Sequence, residues 1–199
     1  MGYSLGGIYG PTLMALSPDI ERGVLWVGGS GFSSMVERST NYNQFELIFN
    51  SILGYEARND RAILISVAQQ LWDSTDPEIY LPYVVDGYGD ILEPNTILTI
   101  HSVNDAQVPM LSSDRATRTA GIPVISSSTR IPYDVDVVEG PITGSALVYF
   151  DGDFPGVPES NTAPPQSSHS LAHNLIAGVT EVNEMVFGFM FTGIVENTC

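Results

Sequence analysis

The chain has 199 residues, of which 43% are hydrophobic, so it is long enough for one domain with a hydrophobic core. It carries 23 acidic and 7 basic residues, and the resulting net charge of −16 argues against binding to nucleic acid or to an anionic membrane surface. No apolar run approaches the ~18 residues of a membrane helix, and the single cysteine, Cys199, excludes an intrachain disulfide.

The first two predicted elements form half of an α/β unit. Residues 5–16 predict a helix whose small residues share a face, which is typical of close packing between a helix and a sheet. Residues 23–29 are apolar and bounded by glycines, so they predict a buried strand. No strand is expected ahead of Ser4.

Residues 31–90 predict a helical insertion between strands, because apolar residues recur there at helical spacing. The insertion is either a lid over a site or a set of ordinary packing helices. Its aromatic residues are typical of an apolar acyl or alcohol pocket and equally of a core. They are Phe45, Phe49, Trp72, Tyr80 and Tyr83.

The remaining elements continue the α/β pattern. Strands are predicted at residues 96–101, 124–125 and 147–150, and helices at 112–120 and 171–191, with Gly193 as the last stop signal. A loop rich in proline and serine spans 154–168. Together these elements predict a single α/β domain over residues 1–199 with a mainly parallel sheet.

The chain begins with Gly2-Tyr3-Ser4-Leu5-Gly6, which matches the Gly-x-Ser-x-Gly pattern of a nucleophile elbow. In such an elbow the serine stands on a strained turn between a strand and a helix, and glycines flank it because neighbouring backbone passes too close for a side chain. A serine hydroxyl becomes a nucleophile when a histidine, oriented by a carboxylate, removes its proton. The pattern therefore predicts two partners for Ser4 further along the chain.

Candidate partners follow in the order Asp, then His. Asp105 comes after the predicted strand 96–101 and before Val108-Pro109, and two histidines, His169 and His173, follow the proline-rich loop. These histidines are four residues apart and would share a helix face, so spacing alone leaves both open as the base. Metal binding by the pair is another interpretation, although no HExxH glutamate lies between them.

The three stretches resemble the α/β-hydrolase superfamily, specifically its serine esterases and lipases, over the part of that fold that begins at the elbow. The resemblance implies that Ser4 is the nucleophile, Asp105 the acid, His173 the base and the N–H of Leu5 an oxyanion donor. It also implies a partial α/β-hydrolase sheet with residues 31–90 as a helical cap. The implied reaction is hydrolysis of a small-molecule carboxylic ester through an acyl-enzyme, with no cofactor and no metal.

Two parts of the family pattern do not occur in this sequence. They are the strands that precede the elbow and the loop that supplies the second oxyanion donor. We expect an N-terminal segment supplied by another chain, or pairing with a second copy of this chain in a homo-oligomer, to complete the sheet.

Three other interpretations compete with a complete hydrolase. The chain could be a non-catalytic remnant of the hydrolase fold that binds a partner. The glycines at positions 2, 6, 7 and 10 loosely match a nucleotide-binding turn, which requires a preceding strand. Asp151-Gly152-Asp153 offers carboxylates for calcium but is shorter than an EF-hand loop.

Overall fold

A computed structural model describes residues 1–165 and 171–196 of the chain. Within these residues, six strands form one sheet in which every neighbouring pair is parallel. In spatial order they are β1 (Gly2–Tyr3), β2 (Arg22–Trp26), β3 (Thr96–Ser102), β7 (Ala146–Phe150), β4 (Val124–Ile125) and β5 (Val137–Val138). Two further strands, β6 (Ile142–Thr143) and β8 (Ile194–Val195), form a separate antiparallel pair. The prediction of an α/β fold with a mainly parallel sheet is confirmed.

Helices fill the connections between the strands. They are α1 (Leu5–Leu16), α2 (Phe32–Val36), α3 (Tyr42–Leu47), α4 (Arg58–Trp72), α5 (Pro77–Asp86), α6 (Met110–Ala120), α7 (Leu171–Leu175) and α8 (Thr180–Thr192). A π-helical turn (Ile48–Ile52) extends α3, and a 3-10 turn (Ile176–Gly178) follows α7. The stretch predicted as a helical insertion, residues 31–90, contains α2 to α5 and lies between β2 and β3.

Buried side chains cover both faces of the central strands, because successive residues of a strand point to opposite sides. On one face, Leu25 of β2 and Ile97 of β3 pack in one core with Met14 of α1. On the other face, Leu98 of β3 packs in a second core with Phe189 of α8. Burial on both faces explains why these strands have nearly continuous apolar sequences.

The sheet begins earlier in the chain than the sequence predicted. The expectation that no strand precedes Ser4 is wrong, because Gly2 and Tyr3 pair in parallel with Leu25 and Trp26. A two-residue strand has no periodicity of its own, so only its pairing with β2 defines it. The elbow serine therefore follows a strand, although a short one, at the edge of the sheet.

The helix predicted over residues 171–191 is broken. Val179 adopts an extended conformation, and the segments on its two sides, Leu171–Gly178 and Thr180–Thr192, are bent by 64°. The amide of Asn183 donates hydrogen bonds to the carbonyl groups of Ala177 and Val179, which lie at the break. The predicted stop is present, since Gly193 ends α8 in the left-handed region at φ 73°.

No single helix in residues 1–165 or 171–196 is long and apolar enough to cross a membrane, and the bent pair just described meets the length and composition of a span only when its two helices are taken together.

Asp76 holds the helical insertion together. Its carboxylate is fully buried and accepts hydrogen bonds from the backbone N–H groups of Gly31, Phe32 and Glu78 and from the side-chain amide of Gln69. These donors belong to the segments around α2, α4 and α5. Asp76 is therefore the N-cap of α5, and its carboxylate also joins three helices of the insertion.

β1 has an open edge, and one side of the following helix α1 exposes apolar side chains. β1 has a neighbour on one side only in the sheet that the structure describes. Leu5, Tyr9, Leu13 and Leu16, spaced three or four residues apart on α1, are 46–69% exposed. The expectation that another segment or a second copy pairs with this edge stays a prediction.

Helix α1 approaches β2 so closely that only glycine fits at the crossing. A Cβ on Gly7 would overlap the carbonyl oxygen of Trp26, and a Cβ on Gly28 would lie 2.5 Å from the carbonyl oxygen of Gly7. Gly6, by contrast, has no atom within 4 Å of the position of an added Cβ. The close packing predicted from the glycines of α1 thus rests on Gly7 and not on Gly6.

The Gly7→Ala variant should be destabilised although alanine favours helix formation. Displacing the Trp26 backbone is an overpacking change that costs about 2 kcal/mol. The matched variant Gly6→Ala should raise the free energy of unfolding, by up to ~1 kcal/mol, because it gains helix propensity without a clash. Urea denaturation measures both values, and equal effects of the two substitutions would contradict the proposed close approach.

Candidate active site

Ser4 stands at the junction of β1 and α1 in a strained conformation. Its φ and ψ angles are 54° and −113°, outside the regions that non-glycine residues ordinarily occupy. Two hydrogen bonds fix this turn, because the N–H of Ser4 donates to the Trp26 carbonyl at 3.1 Å and its carbonyl accepts from Ile8 at 2.9 Å. Strand, strained serine and helix therefore follow one another in the order that the elbow motif requires.

The two glycines of the elbow motif differ in their surroundings. A Cβ on Gly2 would overlap the carbonyl oxygen of Gly6, so the crowding expected of an elbow is present there. The same expectation is wrong for Gly6, which faces open space. The crowded position on the helix side of the elbow is Gly7, one residue later.

Asp105 lies in the loop that leaves the carboxyl end of β3. Its side chain is 3% exposed, and its Oδ1 accepts hydrogen bonds from the backbone N–H groups of Gln107 at 2.8 Å and Val108 at 3.0 Å. Asn104, the preceding residue, has a φ of 62°, which turns the chain sharply after the strand. The carboxylate is thus held by its own loop, and its Oδ2 points to a different partner.

That partner is His173 of α7. Its Nδ1 lies 2.7 Å from Oδ2 of Asp105, and its Nε2 lies 2.8 Å from Oγ of Ser4. A carboxylate accepts hydrogen bonds, so Nδ1 carries the proton of the neutral ring and Nε2 is left as an acceptor for the Ser4 hydroxyl. The structure therefore brings Ser4, His173 and Asp105 together in one hydrogen-bonded chain.

Ser4 is the most accessible of the three residues, as a reaction at its hydroxyl requires. Asp105 and His173 are 3% and 2% exposed, whereas Ser4 is half-buried. In this arrangement the proton of the Ser4 hydroxyl can pass to Nε2 of His173. The imidazolium that forms would be stabilised by the adjacent carboxylate.

Tyr3 joins the elbow to the segment that carries His173. Its hydroxyl donates a hydrogen bond to the backbone carbonyl of His173, and the two rings lie 5.7 Å apart between centroids. Burial raises the pKa of the Tyr3 phenol, and the nearby Asp105 carboxylate raises it further, so the hydroxyl keeps its proton. No local sequence signal points to this residue, since its role depends on a contact between positions 170 residues apart.

The other histidines differ from His173 in position. His101 lies within β3 and is 3% exposed, with its ring 5.6 Å from that of Tyr149 between centroids. Burial lowers the pKa of His101 to about 4, so the ring is neutral at neutral pH and belongs to the core. His169 and Cys199 lie outside the described residues.

The N–H of Leu5 is one of the first in α1, where helical N–H groups have no intrahelical acceptor. It directly follows Ser4, at the position of the first oxyanion donor that the resemblance implies. The resemblance implies that the second donor comes from a loop after an earlier strand, and within the ranges that the structure covers no strand lies beyond β1 in the sheet.

A cavity of about 350 Å³ opens beside Ser4 and Leu5. Phe45 of α3 is one of its lining residues, as the sequence suggested for the aromatic residues of the insertion. The other aromatic candidates do not line this cavity. The ring of Trp72 contacts that of Phe32, and the ring of Tyr83 contacts that of Tyr88. The hydroxyl of Tyr80 donates a hydrogen bond to the Ser74 carbonyl. Phe49 is not among the cavity's lining residues.

Within residues 1–165 and 171–196, no group of three or more His, Cys, Asp or Glu side chains is arranged to hold a metal ion. Asp151 accepts a hydrogen bond from the backbone N–H of Asp153 in an exposed turn.

Comparison with known proteins found no family and no curated sequence similar to this chain. The resemblance to serine esterases and lipases therefore stays an expectation from sequence motifs.

Removing the Tyr3 hydroxyl should destabilise the site without altering its charge. The Tyr3→Phe variant loses the hydrogen bond to the His173 carbonyl and should have a free energy of unfolding lower by about 1 kcal/mol in urea denaturation. Tyr9→Phe is the matched control, since Tyr9 is exposed and its ring contact with Phe32 survives the change. If both variants retain wild-type stability, the Tyr3 contact does not hold α7 against the elbow.

Proposed function

We propose that this protein is a serine hydrolase that cleaves carboxylic esters. The observation that carries the proposal is the continuous hydrogen-bonded chain from Oγ of Ser4 through the His173 ring to the carboxylate of Asp105. In this series of hydrogen bonds, each group donates or accepts as proton removal from a serine requires. The strained backbone of Ser4 at the end of a strand supports the same assignment, because strain of this kind is concentrated at functional sites.

The first half of the reaction forms an acyl-enzyme. Oγ of Ser4 attacks the ester carbonyl carbon while its proton moves to Nε2 of His173, and the carbonyl oxygen becomes an oxyanion facing the N–H of Leu5. When the tetrahedral intermediate collapses, the bond from carbon to the alcohol oxygen breaks. His173 returns the proton to that oxygen, and the alcohol leaves.

The second half repeats these steps with water. His173 removes a proton from a water molecule, whose oxygen attacks the acyl carbon and forms a second tetrahedral intermediate. The bond to Oγ of Ser4 then breaks, and the proton returns to Oγ. The products are a carboxylic acid and the regenerated enzyme.

Asp105 has two roles in this scheme, and its two oxygens divide them. Oδ1, held by the N–H groups of Gln107 and Val108, fixes the carboxylate in place. Oδ2 keeps the proton of His173 on Nδ1 and stabilises the imidazolium. In this scheme the proton of the imidazolium does not pass on to the carboxylate.

A second candidate function is that of a hydrolase-fold module that acts only with a partner segment. The uncovered edge of β1 and the exposed apolar side chains of α1 favour it. Losing one oxyanion donor costs about 10²–10³ in rate, so on this account the isolated chain would be a slow enzyme and a partner would accelerate it.

Substitutions in the hydrogen-bonded chain should abolish ester hydrolysis. With p-nitrophenyl butyrate, Ser4→Ala should lower kcat by about 10⁴-fold or more, and Asp105→Asn should lower it by ~10⁴-fold because the wrong tautomer of His173 is favoured. Ser66→Ala is the matched control, since Ser66 lies on α4 and its hydroxyl donates only within the helix, to the Ala62 carbonyl. Hydrolysis by Ser4→Ala at the wild-type rate would disprove the proposed nucleophile.

A further inference from the structure

We propose that the cavity beside Ser4 binds the acyl chain of the substrate and selects uncharged acyl groups of medium length, about six to ten carbons. This inference rests on the proposed ester hydrolase activity. The cavity has a volume of about 350 Å³ and lies between the start of α1, the helices α2 and α3, and the loop that follows Asp105. Its apolar lining includes Leu5, Ile8, Met35, Val36, Phe45 and Val108.

The position of the cavity relative to the reacting groups favours the acyl chain over the alcohol. Ser4 and Leu5 both line it, whereas His173 and Tyr3 do not. In the reaction, the carbonyl oxygen faces the N–H of Leu5, while the alcohol oxygen must lie at Nε2 of His173 to receive its proton. The cavity therefore opens from the side of the serine that the acyl group occupies.

The chemistry of the lining excludes a charged acyl group. The described residues around the cavity include no Asp, Glu, Lys or Arg; its polar members are hydroxyl and amide side chains such as Ser39 and Asn41. A carboxylate or ammonium group placed there would lose its hydration without gaining an ion-pair partner. An alkyl chain gains free energy from the same burial.

The volume of the cavity limits the length of the chain. Liquid water occupies ~30 Å³ per molecule, and a methylene group needs a similar space. A cavity of about 350 Å³ therefore holds roughly ten such groups when it is fully filled. An octanoyl chain fits within it, and a palmitoyl chain must leave part of its length in solvent.

The direct test is a chain-length series of p-nitrophenyl esters from acetate to palmitate. We expect kcat/KM to rise with each added methylene, by at most about fourfold per group, to reach a maximum at hexanoate to decanoate, and to fall for palmitate. The octanoate ester should exceed the acetate ester by at least tenfold. A constant kcat/KM across the series, or a maximum at acetate or palmitate, would overturn the inference.

Variants that change the cavity provide a second test. Val36→Phe fills part of the cavity, so the ratio of kcat/KM for octanoate to that for butyrate should fall about tenfold. Phe45→Ala enlarges the cavity at a position that is 40% exposed. The maximum of kcat/KM should therefore move to longer acyl chains. Val67→Phe is the matched control, because Val67 lies on α4 outside the cavity and is 58% exposed. An unchanged chain-length profile in both cavity variants would show that the acyl chain binds elsewhere.

A pair of isomeric esters separates the acyl from the alcohol side. Methyl octanoate and heptyl acetate contain the same number of atoms, and the inference predicts that methyl octanoate is hydrolysed at least tenfold faster. A preference for heptyl acetate would assign the cavity to the alcohol and overturn the inference, while leaving ester hydrolysis itself intact. Failure to hydrolyse any ester, acetate included, would reject the proposed function and this inference together.

Discussion

The shared direction of β1 and β3 is the constraint on which the site depends. In a parallel sheet the carboxyl ends of neighbouring strands lie at one edge, and both Ser4 and Asp105 follow directly after such an end. His173 reaches the same edge from the segment after β7, which is also parallel to β3. Three residues far apart in the chain therefore meet within hydrogen-bonding distance, and the buried bond between Asp105 and His173 fixes the ring that faces the serine.

The elbow is held by contacts that leave little freedom for substitution. The strained backbone of Ser4 costs on the order of 1–3 kcal/mol, and it is retained because hydrogen bonds to Trp26 and Ile8 fix the turn from both sides. The close contact of Gly7 with β2 sets where α1 begins, and Tyr3 ties the adjacent strand to the backbone of His173. Ser4 and His173 are thus linked through the Tyr3 hydroxyl as well as through their own hydrogen bond.

The sequence predicted those features that have a local signal. The helix over residues 5–16 and the apolar strand near residue 97 were visible in periodicity. The motifs placed a serine, an aspartate and then a histidine in order, and the choice of His173 over His169 came only from the family resemblance. The two-residue strand β1 was missed because it is defined only by its pairing with β2, and the break at Val179 was missed because apolar spacing continues across it. The buried carboxylate of Asp76 and the contact of Tyr3 with His173 depend on residues brought together by the tertiary fold, for which one sequence holds no periodic signal.

Reaction with a fluorophosphonate probe tests the central claim most directly, because the probe reports an activated serine without requiring the natural substrate. If His173 and Asp105 activate Ser4, the folded protein forms a single adduct, and peptide mass spectrometry finds it on the fragment that contains Ser4. The same protein unfolded in urea, and the folded His173→Ala variant, should both fail to react. An adduct on another serine, or equal labelling of folded and unfolded chains, would contradict the account.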